Sequence, residues 1–190
     1  MGYKVCMFWV LPNLERGDLT GCMTRKVKPI PDGYHTATPY LIIKGAAEAL
    51  DFYKKAFGAK EILRMAGPGG KVMHAEIQIG DSRIMLADEM PEMGFRSPAS
   101  LGGAGMSLML YVKDVDAAAK KAVAAGIKVM RPVQDQFYGD RSGTFTDPFG
   151  HVWTLATHTE DLSEKEIRKR AEAMFQGGNG HGGCDQPKQK

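Results

Sequence analysis

Apolar residues recur along this chain with two periods, and the order in which those periods alternate is the first statement the sequence makes about its fold. From Thr38 to Ile43 the pattern is that of a strand; from Ala46 it turns helical, with Ala46, Leu50, Tyr53 and Phe57 on one face and Gly58 as a stop. Three extended stretches follow, Lys60 to Met65, Val72 to Ile79 and Ser82 to Ala87, the last two joined through Gly80-Asp81 as a hairpin turn. The same succession then returns. Ser107 to Val112 leads into Val115, Ala119, Ala122 and Gly126, and from there into Lys128 to Pro132, Gly143 to Asp147 and His151 to Thr157. Lys44 and Lys113 stand 69 positions apart, as do Leu86 and Leu155, whereas Gly58 and Gly126 differ by 68 and imply a one-residue gap.

The pattern therefore predicts an α+β fold built from a β-α-β-β-β module used twice, at residues 38–89 and 107–158. Met90 to Gly105, with two prolines and several glycines, reads as an irregular connection between them. A further helix is expected over 163–176, where Ser163 and Glu166 form a capping box and Ile167, Ala171 and Met174 share a face opposite Arg168, Lys169 and Glu172. The ends carry no such pattern. Residues 1–27 read as an extension with the native start expected at Met23, residues 28–162 as the folded body, and residues 177–190 as a flexible, glycine-rich tail.

Composition narrows the function classes. A chain of 190 residues that is 43% hydrophobic and 25% charged suits a soluble globular protein. The net charge of +3 is scattered among acidic residues, so no concentrated positive face invites nucleic acid. Val5 to Leu11 is too short to span a bilayer, is stopped by Pro12, and has no small-residue cleavage site after it, so no membrane association is expected. Cys6, Cys22 and Cys184 all lie outside the patterned body, which fits a reducing, cytoplasmic setting and excludes a disulfide scaffold. His181 and Cys184, on a glycine-rich tail, do not make a metal site.

Strand alternation separates a dry face from a polar one. Ala75, Ile77 and Ile79 share one side of their strand, and His74, Glu76 and Gln78 share the other. Two readings of the polar side stand open: an outer face in bulk water, or the lining of a curved sheet, where Glu76 and His74, pointing the same way, are candidates to move a proton. The segment 135–142 adds Gln136, Tyr138 and Arg141. An arginine beside a tyrosine suits a carboxylate, phosphate or phosphonate group, and the plainer alternative pairs Arg141 with Asp140 or Asp147 at the surface.

Six stretches carry a resemblance to a known family: Thr-Pro-Tyr-Leu at 38–41, Ala-Leu-Asp-Phe-Tyr-Lys-Lys-Ala-Phe-Gly at 49–58, His-Ala-Glu-Ile-Gln-Ile-Gly-Asp-Ser at 74–82, Met-Leu-Ala-Asp-Glu-Met-Pro at 85–91, Phe-Tyr-Gly-Asp-Arg-Ser-Gly at 137–143 and Asp-Pro-Phe-Gly-His-Val-Trp at 147–153. With these the chain resembles the vicinal-oxygen-chelate (glyoxalase/bleomycin-resistance) superfamily, in its PhnB-like branch, over roughly Lys28 to Ser163. The resemblance implies paired modules forming a U-shaped mixed sheet around a cavity, commonly in a homodimer. It also implies ligand positions for a metal in the first and last strand of each module, which here hold Thr38 and Met85, then Ser107 and Thr154. None of the four is a usual ligand for a catalytic divalent cation.

Two functions of different class follow. The first is a protein that binds a small organic molecule in the sheet cavity without a metal, using Thr38, Tyr40, Met85, Ser107, Met109, Tyr111, Tyr138, Arg141 and Thr154, with Glu76 and His74 as candidate catalytic groups. No cofactor is expected on that reading. The second is an enzyme: a lyase, isomerase or dioxygenase of the glyoxalase type, dependent on zinc, nickel, manganese or iron held at a displaced site by His74, Glu76, His35 or His158, or else a metal-free acid/base catalyst using Glu76.

Overall fold

The computed structural model describes residues 27–177. The expected 1–27 extension and 177–190 tail fall almost entirely outside the described residues. The first module runs β1 (Tyr40–Ile43), α1 (Ala46–Phe57), β2 (Lys60–Ala66), β3 (Val72–Ile79) and β4 (Ser82–Asp88); after a four-residue helix α2 (Pro98–Leu101) the second runs β5 (Ser107–Tyr111), α3 (Val115–Ala125), β6 (Lys128–Asp135), β7 (Asp140–Thr146) and β8 (Val152–His158). Helix α4 (Glu164–Gly177) closes the described chain.

Each module forms one four-stranded mixed sheet, in the orders β1-β4-β3-β2 and β5-β8-β7-β6, with one parallel pair (β1 with β4, β5 with β8) and two antiparallel pairs. The repeat holds at the level of register. Tyr40 sits opposite Met85 and Met109 opposite Thr154, each member 69 positions from its counterpart (40 and 109, 85 and 154). It holds again where the helices begin. Asp88 Oδ1 accepts the backbone N–H groups of Gly45 and Ala46 at 3.0 and 2.9 Å, and the Thr157 hydroxyl, 69 positions on, accepts that of Val115 at 2.9 Å. Both side chains satisfy donors that the first turn of a helix leaves free. Both helices stop at a glycine in left-handed geometry, Gly58 and Gly126.

The helix-bearing faces of the two sheets look into one common core. Leu41, Ile43, Ala75, Ile77, Ile84 and Leu86 of the first sheet and Leu108, Phe145, Trp153 and Leu155 of the second belong to a single buried cluster with α1 and α3. Its centre is aromatic. Tyr53 and Phe57 of α1 lie 5.4 and 4.7 Å from the ring of Trp153 in β8, in tilted and edge-on geometries that add to the burial of three large side chains. Asp147, buried in the turn before β8, ties this cluster together. One of its oxygens accepts from the Tyr53 hydroxyl at 2.8 Å and Trp153 Nε1 at 2.9 Å, the other from the backbone N–H groups of Phe149 and His151, both at 2.9 Å.

Four expectations change in detail. The first strand opens at Tyr40, two residues later than Thr38, because Pro39 has no N–H to donate and enters the ladder through its carbonyl alone, which accepts from Met85 N at 2.9 Å. Residues 135–142 are not one loop: β6 continues to Asp135 and β7 starts at Asp140, leaving only residues 136–139 as the turn. The connection over 90–105 is ordered, with a 3-10 turn at Pro91–Met93, a bridge between Met90 and Phe95, and α2, all anchored by Glu89, whose carboxylate accepts from Ser97 N at 3.0 Å and Ser97 Oγ at 2.8 Å. Ser163 does cap α4, accepting from Glu166 N at 3.3 Å, but the apolar face of α4 is little used: Ile167 and Ala171 are half-buried and Met174 is exposed.

Candidate functional site

With the helices occupying one face of each sheet, the chemistry lies on the opposite, open faces. On the first sheet Tyr40, Met85, Glu76 and Leu63 form one row across β1, β4, β3 and β2. Neighbours in such a row are about 4.8 Å apart, close enough for long side chains to meet. Here they do. Tyr40 Oη is 3.0 Å from His74 Nδ1, His74 Nε2 is 3.3 Å from Glu76 Oε1, and Glu76 Oε2 accepts a short hydrogen bond from the Tyr34 hydroxyl and a contact from Arg83 Nη1 at 3.4 Å. Arg83 also lies over the Tyr34 ring, 5.1 Å from its centroid. The Tyr34 hydrogen bond, followed by those of His74 and the charge of Arg83, outweighs burial and holds the Glu76 carboxyl below the usual carboxylate range. A carboxylate held by such contacts is stabilised in its ionised form.

Tyr34 and Glu76 of this network line a hollow of about 520 Å³ with a largely apolar wall of Pro29, Ile30, Pro31 and Met85 and further polar groups from His35, Thr36 and Thr38. Two smaller hollows lie beyond Tyr40, under the ordered connection. One, of about 300 Å³, is lined by Tyr40, Ile42, Ala87, Met90 and Phe95; the other, of about 170 Å³, includes Tyr40, Arg96 and His151.

The second sheet presents a different set. Ser107, Met109 and Tyr111 of β5 and Thr154 of β8 share its open face with Ser142 and Thr144 of β7. The polar centre lies toward the strand ends: Asp140 accepts from the Tyr111 hydroxyl at 2.9 Å and meets His158 Nδ1 at 2.7 Å, while His158 Nε2 meets Asp161 at 3.0 Å. Those two carboxylates raise the pKa of His158, and Asp140 raises that of Tyr111.

Most of the residues singled out from the sequence thus fall on the two open faces. Glu76, His74, Tyr40, Thr38, Met85 and His35 gather around the first module's network and its hollow, whereas Ser107, Met109, Tyr111, Thr154 and His158 lie on the other sheet. Tyr138 stands in the β6–β7 turn with its hydroxyl 3.5 Å from Ser142 Oγ. Arg141 does not join a site. By strand alternation it points to the helix side with Gly143 and Phe145, where Asp116 of α3 takes its fork at 2.8 and 2.9 Å and Asp135 takes the remaining nitrogen at 3.0 Å. Neither Asp140 nor Asp147 is its partner. Sequence reasoning missed Tyr34, Arg83 and Asp140 as members of the networks. Arg83 was readable as the residue two before Met85 on the same face, and Asp140 as two before Ser142 once β7 is extended; nothing local marks Tyr34.

The family model described as Glyoxalase/Bleomycin resistance protein/Dioxygenase superfamily matches residues 34–155. The chain belongs to this superfamily. An uncharacterized protein of Mycobacterium tuberculosis is 42% identical over 146 residues, which cover 75% of this chain and 84% of that protein. The crystal structure of an Arabidopsis thaliana gene product is 29% identical with a TM-score of 0.52, covering 65% of this chain and 98% of that one. The fosfomycin resistance protein FosX from Listeria monocytogenes shares the fold at 17% identity and a TM-score of 0.50, with 70% and 97% covered.

In this superfamily the metal positions implied by the resemblance can be tested against the side chains present. Thr38 and Met85 line the first hollow, and Ser107 and Thr154 lie on the second sheet; three hydroxyls and a thioether do not form a donor set for a hard or borderline divalent cation. A displaced site fares no better. Among the described residues no group of three or more His, Cys, Asp or Glu side chains converges on one point. His158 has two carboxylate neighbours, but they bind opposite nitrogens of its ring and so cannot share one ion with it.

Proposed function

We propose that the open face of the first module binds a small organic molecule without a bound metal, and that the chain forms a homodimer. The observation that carries the ligand reading is the 520 Å³ hollow, apolar on its walls and floored by an ionised carboxylate fixed by Tyr34, His74 and Arg83. Apolar walls with a few fixed polar groups are what small-molecule sites have in common. The fosfomycin resistance protein that shares this fold is, by its name, concerned with a small organic antibiotic, which agrees with the reading. Exposed Leu63, Met65, Met109 and Met130 on the sheets supply apolar surface of the kind that associating proteins cover. No helix among the described residues is long and apolar enough to cross a membrane, and residues 27–177 contain no cysteine, which fits work in the cytoplasm.

A thermal-shift screen of antibiotics, 2-oxoaldehyde adducts and divalent metals tests this directly. Organic compounds are expected to raise the melting temperature through selective binding to the folded state, and Tyr34→Phe and Glu76→Gln to reduce that rise. Elemental analysis of untagged protein is the opposing test. Near-stoichiometric zinc, nickel, manganese or iron that disappears in Glu76→Ala would overturn the metal-free reading in favour of a glyoxalase-type lyase, isomerase or dioxygenase. Sedimentation equilibrium at the mass of two 20.7 kDa chains is expected, and a single-chain mass at micromolar concentration would overturn the homodimer.

A further inference from the structure

The open face of the first module holds a phenol, an imidazole and a carboxylate in that order, and we propose that the order makes Tyr40 an acid–base hydroxyl, able to take a proton from a bound molecule as its own proton passes to His74. Ionised Glu76 can only accept hydrogen bonds, so the His74 nitrogen that faces it, Nε2 at 3.3 Å, carries the ring proton. In the neutral imidazole the other nitrogen, Nδ1, is then a bare lone pair. Tyr40 Oη lies 3.0 Å from it and donates to it, which leaves lone pairs on the phenolic oxygen for a second partner. Tyr40 is 46% exposed, so such a partner can reach it.

A base oriented by a carboxylate and hydrogen-bonded to a hydroxyl is the arrangement by which weakly acidic hydroxyls are activated in general. The 3.3 Å contact is at the long end of the range, as acid–base contacts often are before a ligand binds. In the step itself, an acidic O–H or C–H proton of the bound molecule goes to Tyr40 Oη and its electron pair stays on the molecule. The Tyr40 proton moves to His74 Nδ1, and Glu76 stabilises the imidazolium. The reverse sequence returns the proton. Tyr40 also lines the 300 Å³ hollow with Ile42, Ala87, Met90 and Phe95, so the molecule that fits carries an apolar remainder next to its acidic proton. Tyr40 lines the 170 Å³ hollow as well, together with Ile42, Arg96 and His151.

The inference keeps the proposed reading of the first module's open face as a ligand-binding face but places the reacting molecule in the hollows that Tyr40 lines, beside the 520 Å³ one, and its test needs no ligand, so each can fail without the other. The second module provides the control. Tyr111 is more exposed than Tyr40, at 63%, and its hydroxyl donates to a carboxylate instead of an imidazole. The full chain is treated with N-acetylimidazole, and acetylation of each tyrosine is followed by peptide mass spectrometry. The acetyl C–N bond breaks, a C–O bond to the phenol forms, the phenol proton passes to His74, and imidazole leaves with a proton from water. Tyr40 is expected to react about 10-fold faster than Tyr111 or more, a lower bound for general base assistance. In His74→Asn the amide oxygen can still accept the Tyr40 hydrogen bond but is not basic, and the Tyr40 rate is expected to fall about 10-fold with Tyr111 unchanged. Glu76→Gln is expected to lower it in the same direction. A wild-type Tyr40 rate equal to or below that of Tyr111 would overturn the proposal without any variant; so would an undiminished rate in His74→Asn.

Discussion

The two modules share a topology, a register and a 69-residue offset, yet their open faces present different polar groups. In the first, the sequence of contacts is Tyr40, His74, Glu76; in the second it is Tyr111, Asp140, His158. Placing the imidazole in the middle leaves a basic nitrogen against the phenol. Placing the carboxylate in the middle instead puts a much weaker base there, and its effect is to raise the pKa values of a tyrosine and a histidine. The lesson is that duplication preserved the frame while a change of two residue types and one strand row altered what the frame presents. His74 has Ser142 as its counterpart and Glu76 has Thr144, so the second module could not have kept the first module's order.

The largest expected effect concerns the join between the modules. Asp147 belongs to the second but accepts from Tyr53 of the first, so Asp147→Ala leaves two buried side-chain donors and two backbone N–H groups unpaired and is expected to cost about 3–5 kcal/mol in urea unfolding. A loss under about 1 kcal/mol would mean that the aromatic cluster alone unites the halves.

Equivalent turns should differ next. Gly70, in the β2–β3 turn, has φ +78° and open space where a Cβ would go, while Gly139, in the β6–β7 turn, has φ +94° and would bring a Cβ to 2.4 Å from the Glu160 carbonyl oxygen. The second turn is covered because the chain leaving β8 folds over it, with Thr159 N and Glu160 N both donating to Gly139 O at 2.9 Å. Gly139→Ala is expected to cost about 3 kcal/mol and Gly70→Ala about 1 kcal/mol. Similar losses for the two, read from melting curves, would show that the covering segment yields.

The helix-start pair gives a smaller contrast. Asp88 accepts from Gly45, Ala46 and, at 2.7 Å, Val72, whereas Thr157 accepts only from Val115 and donates to the Val112 carbonyl at 2.9 Å. Asp88→Ala should cost about 2 kcal/mol and Thr157→Ala about 1 kcal/mol in the same assay. If Thr157→Ala costs more, the shared role is not what sets the two energies.

The smallest effects are those of pH, and they run in opposite directions in the two modules. The folded pKa of Glu76 is depressed, so its contribution is present above its ordinary value of 4.5 and is lost as pH falls through the depressed value. The folded pKa of His158 is raised, so its contribution is complete below 6.5 and is lost as pH rises through the raised value. Stability measured against pH should therefore soften at the acid end in a way Glu76→Gln removes, and above neutrality in a way His158→Gln removes. A pH profile that neither variant changes would remove both ionic contributions from the comparison.

Much of this was legible in the chain. The two modules, both helix stops, the Gly80-Asp81 turn and the dry and polar sides of β3 follow from periodicity, because a side chain's face is fixed by its spacing from its neighbours. His74 and Glu76 were readable as a pair for the same reason. Arg141 was not: its direction depended on whether residues 140–142 were loop or strand, and one step of register moves a side chain to the opposite face. Tyr34 was invisible because its partners in the network, Glu76 and Arg83, are distant in the chain, Glu76 by 42 residues.

By itself, then, the sequence determined the order of elements, the duplication, the family and the residue types at the family's metal positions, all of which depend on local spacing or on stretches read in place. Only the tertiary structure decided that both helix-bearing faces share one core, that Asp147 binds a tyrosine 94 residues away, and that the imidazole lies between phenol and carboxylate in one module but at the end in the other. Hydrogen bonds of a few tenths of a nanometre between distant residues are set by how the sheets pack, and no periodicity along the chain encodes them.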